Sequence, residues 1–561
     1  MAEENTATNL IFLFPFTFNS TKDLPLEEEL GNWERVWEKN PRELPRLRLN
    51  EHQYFYPATY AALYDGGNHD HLEKYREYRY KKTSHGGKSQ YIITPQAKKN
   101  EKEAPEPYKL DINCIGLKLY GQAGKVGLLY YKLHYEETQP LEDIIKICEY
   151  GRRIFFPYIQ GPDEKEPRPG QVAESLEILH ADGSGIKEDF ASAYTLKTGQ
   201  SGHGDPTFIS KTVTELLGKC IQCVKPVLDD RMFVMLLYKN QALIDGLRDE
   251  TDEEASFHTE SFRHYFVKKA CEAKDEPRMV MSQRPALDDW YKLMFVDVGS
   301  PTFLNRAGRL EAIKKASYSR WIGGGTLYGF TNYSYVMLGT EGTDETNGMP
   351  PYLIEHFSTM YFQMVALALA QRAHLLYFSG RISELSQDLT DGERRKRKRA
   401  RNRVPKLLNG PLEFSRNRMD YFIHGFIPRE RACNEVPQLQ ASYARFLSQI
   451  YHEEVTAQDQ GIEMYDKLQA TLFIPKYMGA TEKQLDRLGE YARGHTEAIS
   501  GFLLAVVAIA SLIGGGFQVL SAVPTLVDCG VALWSGRILV YIGIFALLAY
   551  IAWHVVRKHK S

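Results

Sequence analysis

Residues Ile499 to Val519 read ISGFLLAVVAIASLIGGGFQV, and a second stretch, Ile538 to Val556, reads ILVYIGIFALLAYIAWHVV; neither contains an Asp, Glu, Lys or Arg. A bilayer core about 30 Å thick needs roughly 20 apolar residues at about 1.5 Å of helical rise each, so both are long enough to cross it. Two such stretches at the end of the sequence predict a membrane hairpin, because little chain is left to bury them otherwise. Arg557, Lys558 and Lys560 follow the second stretch and Arg487 and Arg493 precede the first, whereas the connection from Leu520 to Arg537 holds one base, Arg537, and one acid, Asp528. The positive-inside bias then places both ends of the chain in the cytoplasm, as a multi-pass protein of the inner membrane.

The rest of the chain has an ordinary globular texture. Of 561 residues, 43% are apolar and 25% charged, which excludes disorder as the main state. The 69 Lys and Arg nearly balance 71 Asp and Glu, so a dedicated nucleic-acid binder is not expected. Seven scattered cysteines suit reduced cytosolic thiols better than a disulfide framework. The apolar run Leu10 to Phe18 lacks a basic flank and is broken by Pro15, so it does not read as a secretory signal.

NLIFLFPFTF, residues 9–18, has the apolar density of a buried strand, and 112–135 alternates around a glycine-containing turn as a hairpin does. Residues 54–64 and 72–80 read as helices and 81–107 as a long loop. Helical spacing returns at 141–158, and a strand, helix and strand pattern runs through 208–218, 231–238, 257–271, 292–297 and 326–338. The fold class expected is α+β: a mixed α/β cytosolic sensor unit over 1–345, a long-helix region over 346–480, a stalk helix over 481–498 and the transmembrane hairpin over 499–561.

Tyr352 to Leu389 reads as one helix whose apolar middle, Met364 to Leu369, is too short to span a membrane and should pack against another helix. The basic run between Arg394 and Arg403 reads as a solvated helix face or loop, with an anion or nucleic-acid contact as the alternative. A helix is expected again over 439–472. Thr481-Glu-Lys-Gln484 has the form of a capping box, and no proline follows until Pro524, so one helix is expected to run from Thr481 through the first span. Along it, Leu485, Leu488, Ala492, His495, Ile499, Phe502, Val506, Ile509 and Ile513 form a seam at spacings of three and four that suits self-association, with packing against the chain's own second span as the alternative.

At about 100° per residue, Ser500, Ser511 and Gln518 fall within about 20° of one another, with Leu504, Val507 and Gly514 within about 40° of that row. Arg493 and Glu497 extend it into a cytoplasmic mouth, and Asp528 lies in the outer connection. A polar row is unfavourable against lipid and should face protein or water. One hairpin has no interior, but a ring of identical chains does: Ser511 and Gln518 would line it and Leu504 and Val507 would form a dewetting constriction for ions. Gly501, Ala505, Ala508, Leu512 and Gly515 form a small-residue face for close helix approach. A plain membrane anchor is the alternative.

This layout, over roughly residues 350–561, resembles the CorA family of divalent-cation channels. The resemblance implies a homo-oligomer of five subunits around a pore lined by the first span. The family's Gly-Met-Asn signature is replaced here by Gly514-Gly-Gly-Phe-Gln518, so magnesium selectivity is not implied. With its large N-terminal part the chain resembles the divergent CorA-like effectors of type III CRISPR antiviral defence. That resemblance implies gating by a nucleotide second messenger, a cyclic oligoadenylate or a conjugate of S-adenosylmethionine with AMP (SAM-AMP).

A nucleotide needs arginines or backbone N–H groups for its phosphate and a flat partner for its base. Two places offer these: Arg320, Trp321, Gly324, Thr326 and Tyr328 around a triple glycine, and Arg152 with Arg153. A tight turn is the structural alternative for the glycines. Cys220-Ile-Gln-Cys223, His69-Asp-His71 and His203-Gly-Asp205 lack the companions of a metal or redox site, and no GxxxxGK[ST], GxSxG or HExxH occurs. No catalytic residue, metal or cofactor is expected. Two other readings stay open, a membrane-tethered nucleotide-dependent enzyme such as a nuclease, and a housekeeping magnesium or cobalt transporter.

Overall fold

The computed structural model describes residues 8–19, 30–36, 53–64, 76–84, 88–96, 105–120, 125–135, 139–154, 173–190, 209–218, 222–228, 231–252, 285–298, 302–340, 349–401 and 435–521. They form an α+β fold around one 13-stranded mixed sheet. Its strands are β1 (Thr8–Asn19), β2 (Trp33–Arg35), β3 (Arg76–Tyr80), β4 (Gln90–Pro95), β5 (Tyr108–Tyr120), β6 (Val126–Tyr135), β7 (Ala173–Leu179), β8 (Gly185–Asp189), β9 (Gln222–Pro226), β10 (Phe233–Lys239), β11 (Ser317–Tyr318), β12 (Thr326–Phe330) and β13 (Ser334–Gly339). The main path runs β11-β12-β13-β10-β1-β6-β5-β4-β7-β8, while β3 pairs with β5 and β2, and β9 with β1. Only β10 and β13 are parallel among the described pairs.

Strand β1 is apolar on both faces, and both are covered. Leu10, Phe12, Phe14, Phe16 and Phe18 join the main core with β5, β6 and β10 and with helices α2 (Leu141–Gly151), α3 (Lys211–Leu217), α4 (Gln241–Asp252), α5 (Pro285–Phe295) and α6 (Arg306–Ala316); α1 (Pro57–Leu63) lies earlier in the chain. Ile11 and Leu13 point the other way and are equally buried. Pro15 tolerates this central position because the partner on one side changes there: β10 pairs up to Leu13 and β9 takes over at Phe16, so a missing N–H costs little.

The second face carries a long helix. It begins at Pro351–His356, passes through a π turn at Phe357–Tyr361, and continues as α7, Phe362–Arg401. Pro351–Gln387 is long and apolar enough to cross a membrane by length and composition, but 72% of its apolar window is buried inside the protein. Met364 to Ala370 are all buried; the helix meets another helix, as expected, where Tyr465 donates to Gln371 Oε1 at 3.2 Å, and it also packs on the sheet, where Phe362 meets Tyr130 of β6 edge-on. The basic run begins on the helical end of α7. Among the described residues three more helices follow: α8 over 435–449, α9 (Asp459–Thr471) and α10 (Ile474–Ser521).

The expected buried strand at 9–18 and hairpin at 112–135 are present as β1 and β5–β6. Other expectations are corrected. Residues 76–80 of the expected helix are strand β3, whose REYRY buries Tyr78 and Tyr80 with a period of two. The loop expected over 81–107 contains β4, which turns Tyr91, Ile93 and Pro95 inward. Residues 292–297 are the end of helix α5 and the turn after it, because Leu287, Trp290, Tyr291 and Met294 lie on one helical face. The β7–β8 hairpin has no counterpart among the expected elements. The helix expected over 439–472 is two, interrupted where Tyr56 N–H donates to the Val455 carbonyl (3.0 Å) and Phe55 bridges Thr456. Thr481 is not a cap: α10 starts at Ile474, and Thr481 is buried inside it. Residues 257–271, the connection after Ser521 and the second apolar stretch lie outside the described residues.

By contact the chain divides into one compact unit of Met1–Gly380 with Ala441–Thr481 and a second of Arg381–Gln440 with Glu482–Ser561. Within the first, a buried polar network joins the sheet to the long helix. Lys118 of β5 is 1% exposed. Its Nζ donates to the Gln363 Oε1 (2.7 Å) and the Leu63 carbonyl (3.2 Å) and pairs with Glu77 (3.5 Å). Tyr130 donates to the other Glu77 oxygen at 2.6 Å. Burial pushes the Glu77 carboxyl up, but Lys118, Tyr130, Lys132 and Arg79 outweigh it and hold Glu77 below its ordinary range. Lys132 Nζ donates to the Ser358 carbonyl of the π turn at 2.8 Å and lies 3.9 Å from the Phe362 ring centroid.

Two predictions follow from these buried groups. Replacing Lys118→Met leaves Glu77 facing an apolar layer and should cost about 3–5 kcal/mol in chemical denaturation, whereas Lys118→Met with Glu77→Gln should recover more than half of that. His374 of α7 is fully buried, with Nδ1 2.7 Å from the Ala370 carbonyl, and burial pulls it from 6.5 down to about 4. Its depressed folded pKa means the neutral form is favoured in the fold: its contribution is complete above about pH 6.5 and is lost at up to about 1.4 kcal/mol per unit as pH falls to about 4. His374→Leu should flatten the stability profile in that window, read from urea midpoints at successive pH values.

Candidate functional site

The backbone of α10 is helical for 48 residues, Ile474–Ser521, about 72 Å of rise. It is seven residues longer at its start than the capping-box reading, and it enters the charge-free stretch unbroken. Helical periodicity therefore holds from Arg493 to Gln518 and sets Ser500, Leu504, Val507, Ser511, Gly514 and Gln518 within about 40° of one line. Of the described side chains on that line, Leu504 is 69% exposed, and Ser511 is also exposed. Gly501 and Ala508, on the neighbouring small-residue face, are exposed too. The side chains of Ser500, Val507, Gly514 and Gln518 and the whole of Asp528 lie outside the described residues.

At the lower end, Arg493 and Glu497 are exposed, with Arg493 Nε donating to the Gly489 carbonyl at 3.4 Å. The first part of the expected seam is occupied within the chain. Leu485, Leu488 and Ala492 are buried, and a Cβ at Gly489 would collide with Gln440 of α8. Any self-association must use the seam above Ala492. The joint below α10 is unusual: Phe473, between α9 and α10, has a φ of 57°. For a bulky L residue that conformation costs on the order of 1–2 kcal/mol.

The triple-glycine segment forms a tight turn. Residues Ile322–Gly324 make one 3₁₀ turn and Gly325 has a φ of +84°. The N–H groups of Ile322, Gly324, Gly325 and Thr326 are taken by Ser319, Trp321, Ile322 and Trp321 carbonyls, while Arg248 donates to the carbonyls of Ile322 and Gly323 at 3.0 Å each. A turn with its N–H groups so used does not cradle a phosphate. Thr326 and Tyr328 are buried in the sheet, so neither is open to a ligand. Arg320 is exposed and held by Glu463 at 2.8 Å, beside Trp321, which is 46% exposed.

Arg152 and Arg153 sit elsewhere. Arg152 caps the C-terminus of α2, and its carbonyl accepts from Met232 N–H (2.8 Å) while Arg153 bridges Arg231. Glu149, one turn earlier, receives Arg152 Nε at 2.9 Å and, through its two oxygens, both guanidinium groups. Arg231 lies 4.4 Å and Arg152 5.9 Å from the ring centroid of Tyr333, which sits in the β12–β13 turn. The two arginine sites occupy opposite ends of the β12–β13 hairpin, about 17 Å apart along β12, so they do not form one pocket. Arg231 and Tyr333 carry no sequence signal of their own; only strand pairing brings them to Arg152.

Among the described residues no three His, Cys, Asp or Glu side chains gather as a metal site. His69, Asp70, His71, His203, Asp205 and Cys220 lie outside the described residues, as does the side chain of Cys223. Compared with known proteins, the chain matches no family model, no curated protein and no solved structure.

Proposed function

We propose that this chain is the subunit of a homo-oligomeric, CorA-like ion channel of the inner membrane, gated by a nucleotide second messenger such as SAM-AMP or a cyclic oligoadenylate in type III CRISPR antiviral defence. The observation that carries the reading is the unbroken helix Ile474–Ser521, which leaves a folded α+β unit and continues into a charge-free stretch with its polar side chains on one line. Residues 538–556 return the chain across the bilayer as the second helix of the hairpin, with both chain ends in the cytoplasm. Five such helices in a ring place Ser511 and Gln518 toward water and Leu504 and Val507 at the constriction. A ligand opens the ring only by binding the open arrangement better than the closed one, so the α+β unit must change its fit to the ligand when α10 moves.

The full-length chain reconstituted in planar bilayers tests this. Leu504→Ser with Val507→Ser should raise ligand-free conductance about tenfold or more, because a wetted constriction no longer excludes ions. Ser511→Cys should lose its current on exposure to a charged thiol reagent, and Leu512→Cys should not. Unchanged conductance in the double variant, or a chain that remains monomeric in nanodiscs, would overturn the proposal. A catalytic activity surviving deletion of 499–561 would favour the membrane-tethered enzyme, and growth rescue of a magnesium-starved, transporter-deficient strain would favour the housekeeping transporter.

A further inference from the structure

Arg152 is the most completely buried arginine among the described residues: 1% exposed, with a guanidinium that cannot lose its proton under ordinary conditions. Glu149 satisfies its Nε and Nη2, but Nη1 is buried and has no hydrogen-bond partner among the described residues. A buried, unsatisfied, charged donor costs several kcal/mol unless something comes to it. Glu149 turns its other oxygen to Arg153 rather than to Nη1. Nor is the neighbourhood apolar. Arg153 and Arg231 form a backbone rung directly beside Arg152, and both add positive potential, which together with burial pulls the Arg152 guanidinium below its usual range.

The cluster is also rigidly built from three elements. Met232 N–H on the Arg152 carbonyl ties the end of α2 to the start of β10. Val234 N–H on the Tyr333 carbonyl, at 2.9 Å, ties β10 to the β12–β13 turn. Tyr333 N–H in turn donates to Thr331 Oγ1 at 3.2 Å, which fixes the turn. The ring of Tyr333 is thereby held over Arg231 and near Arg152, a flat surface at the edge of a cationic group.

We propose that Arg152, Arg153 and Arg231, with Tyr333 beside them, form a binding site for a phosphoryl group, in which the ligand's oxygen takes the open Nη1 of Arg152 and shares the guanidinium groups with Glu149. Arginine suits this role because its fork of donors matches two phosphate oxygens at once. Arg153 and Arg231 have further interactions of their own, so Arg152 supplies the open donor and the other two supply field and orientation. The site deepens the ligand-gated reading and rests on it for any effect on conductance; phosphate binding itself does not depend on the channel.

Titration calorimetry on the full-length chain in nanodiscs, with inorganic phosphate, pyrophosphate and AMP as probes against chloride at matched ionic strength, tests it. One saturable phosphoryl site per chain is expected, weakened about tenfold or more by Arg152→Gln and by Arg231→Gln. Arg231→Lys, which keeps the charge and loses the fork, should fall between wild type and Arg231→Gln. Circular dichroism of each variant guards against misfolding, and Arg231 is the less buried position if Arg152→Gln fails to fold. Absence of saturable binding up to about 10 mM phosphate or pyrophosphate, or equal affinity in Arg231→Gln, overturns the site. If Leu504→Ser with Val507→Ser conducts while phosphate does not bind, only this site falls; if phosphate binds while no variant conducts, the channel reading falls and the site stands.

Discussion

Strand β1 has no polar face to offer water. Leu10 to Phe16 and Phe18 are buried, on both faces of the strand, and a strand of that composition is stable only with a layer over each side. One side takes α2 to α6, the other the long helix that begins at Pro351. Much of the remaining order follows from that requirement. The helix on the second face must be apolar enough to cover the sheet, which is why it has the composition of a membrane span while lying in protein. The sheet must send its polar groups through that layer in satisfied form, which is what Lys118, Glu77, Tyr130 and Gln363 achieve together.

The two buried cationic clusters differ in how completely they are matched. Lys118 meets two carbonyl oxygens and a carboxylate, and its network reads as an internal strut between sheet and helix. Arg152 meets one carboxylate that it shares, and keeps a donor over. The first arrangement has what it needs from the fold alone. The second is what one expects where a fold reserves part of its hydrogen bonding for something that arrives later.

Much of the framework was legible in the sequence wherever the pattern was strong: the all-apolar β1, the long hairpin of β5 and β6, and the long helix that covers the sheet. What escaped were elements whose identity depends on neighbours. REYRY at 76–80 and QYIITP at 90–95 have few aliphatic residues, and they become strands because β5 and β7 supply pairing partners. Pro285–Phe295 has strand-like residues at its end but a helical apolar face overall. Thr481 matched a capping box that the helix simply runs through. For the sites, the adjacent pair Arg152 and Arg153 could be picked out as a candidate, but Arg231 and Tyr333 lie 78 and 180 positions away from Arg153, joined to it only by folding. The triple glycine attracted notice for a reason the fold does not use, because its donors close on their own turn.

The left-handed residue at the foot of α10 gives that helix a mechanical property. A rod of about 72 Å set on a strained joint is a lever: swinging it by about 10° at Phe473 carries the far end through roughly 12 Å. Phe473 is one of two non-glycine residues with a positive φ among the described residues, and the energy stored in that torsion lowers the effort of leaving it. A displacement too small to disturb a packed sheet would thus arrive at Ser521 magnified to the width of a whole helix.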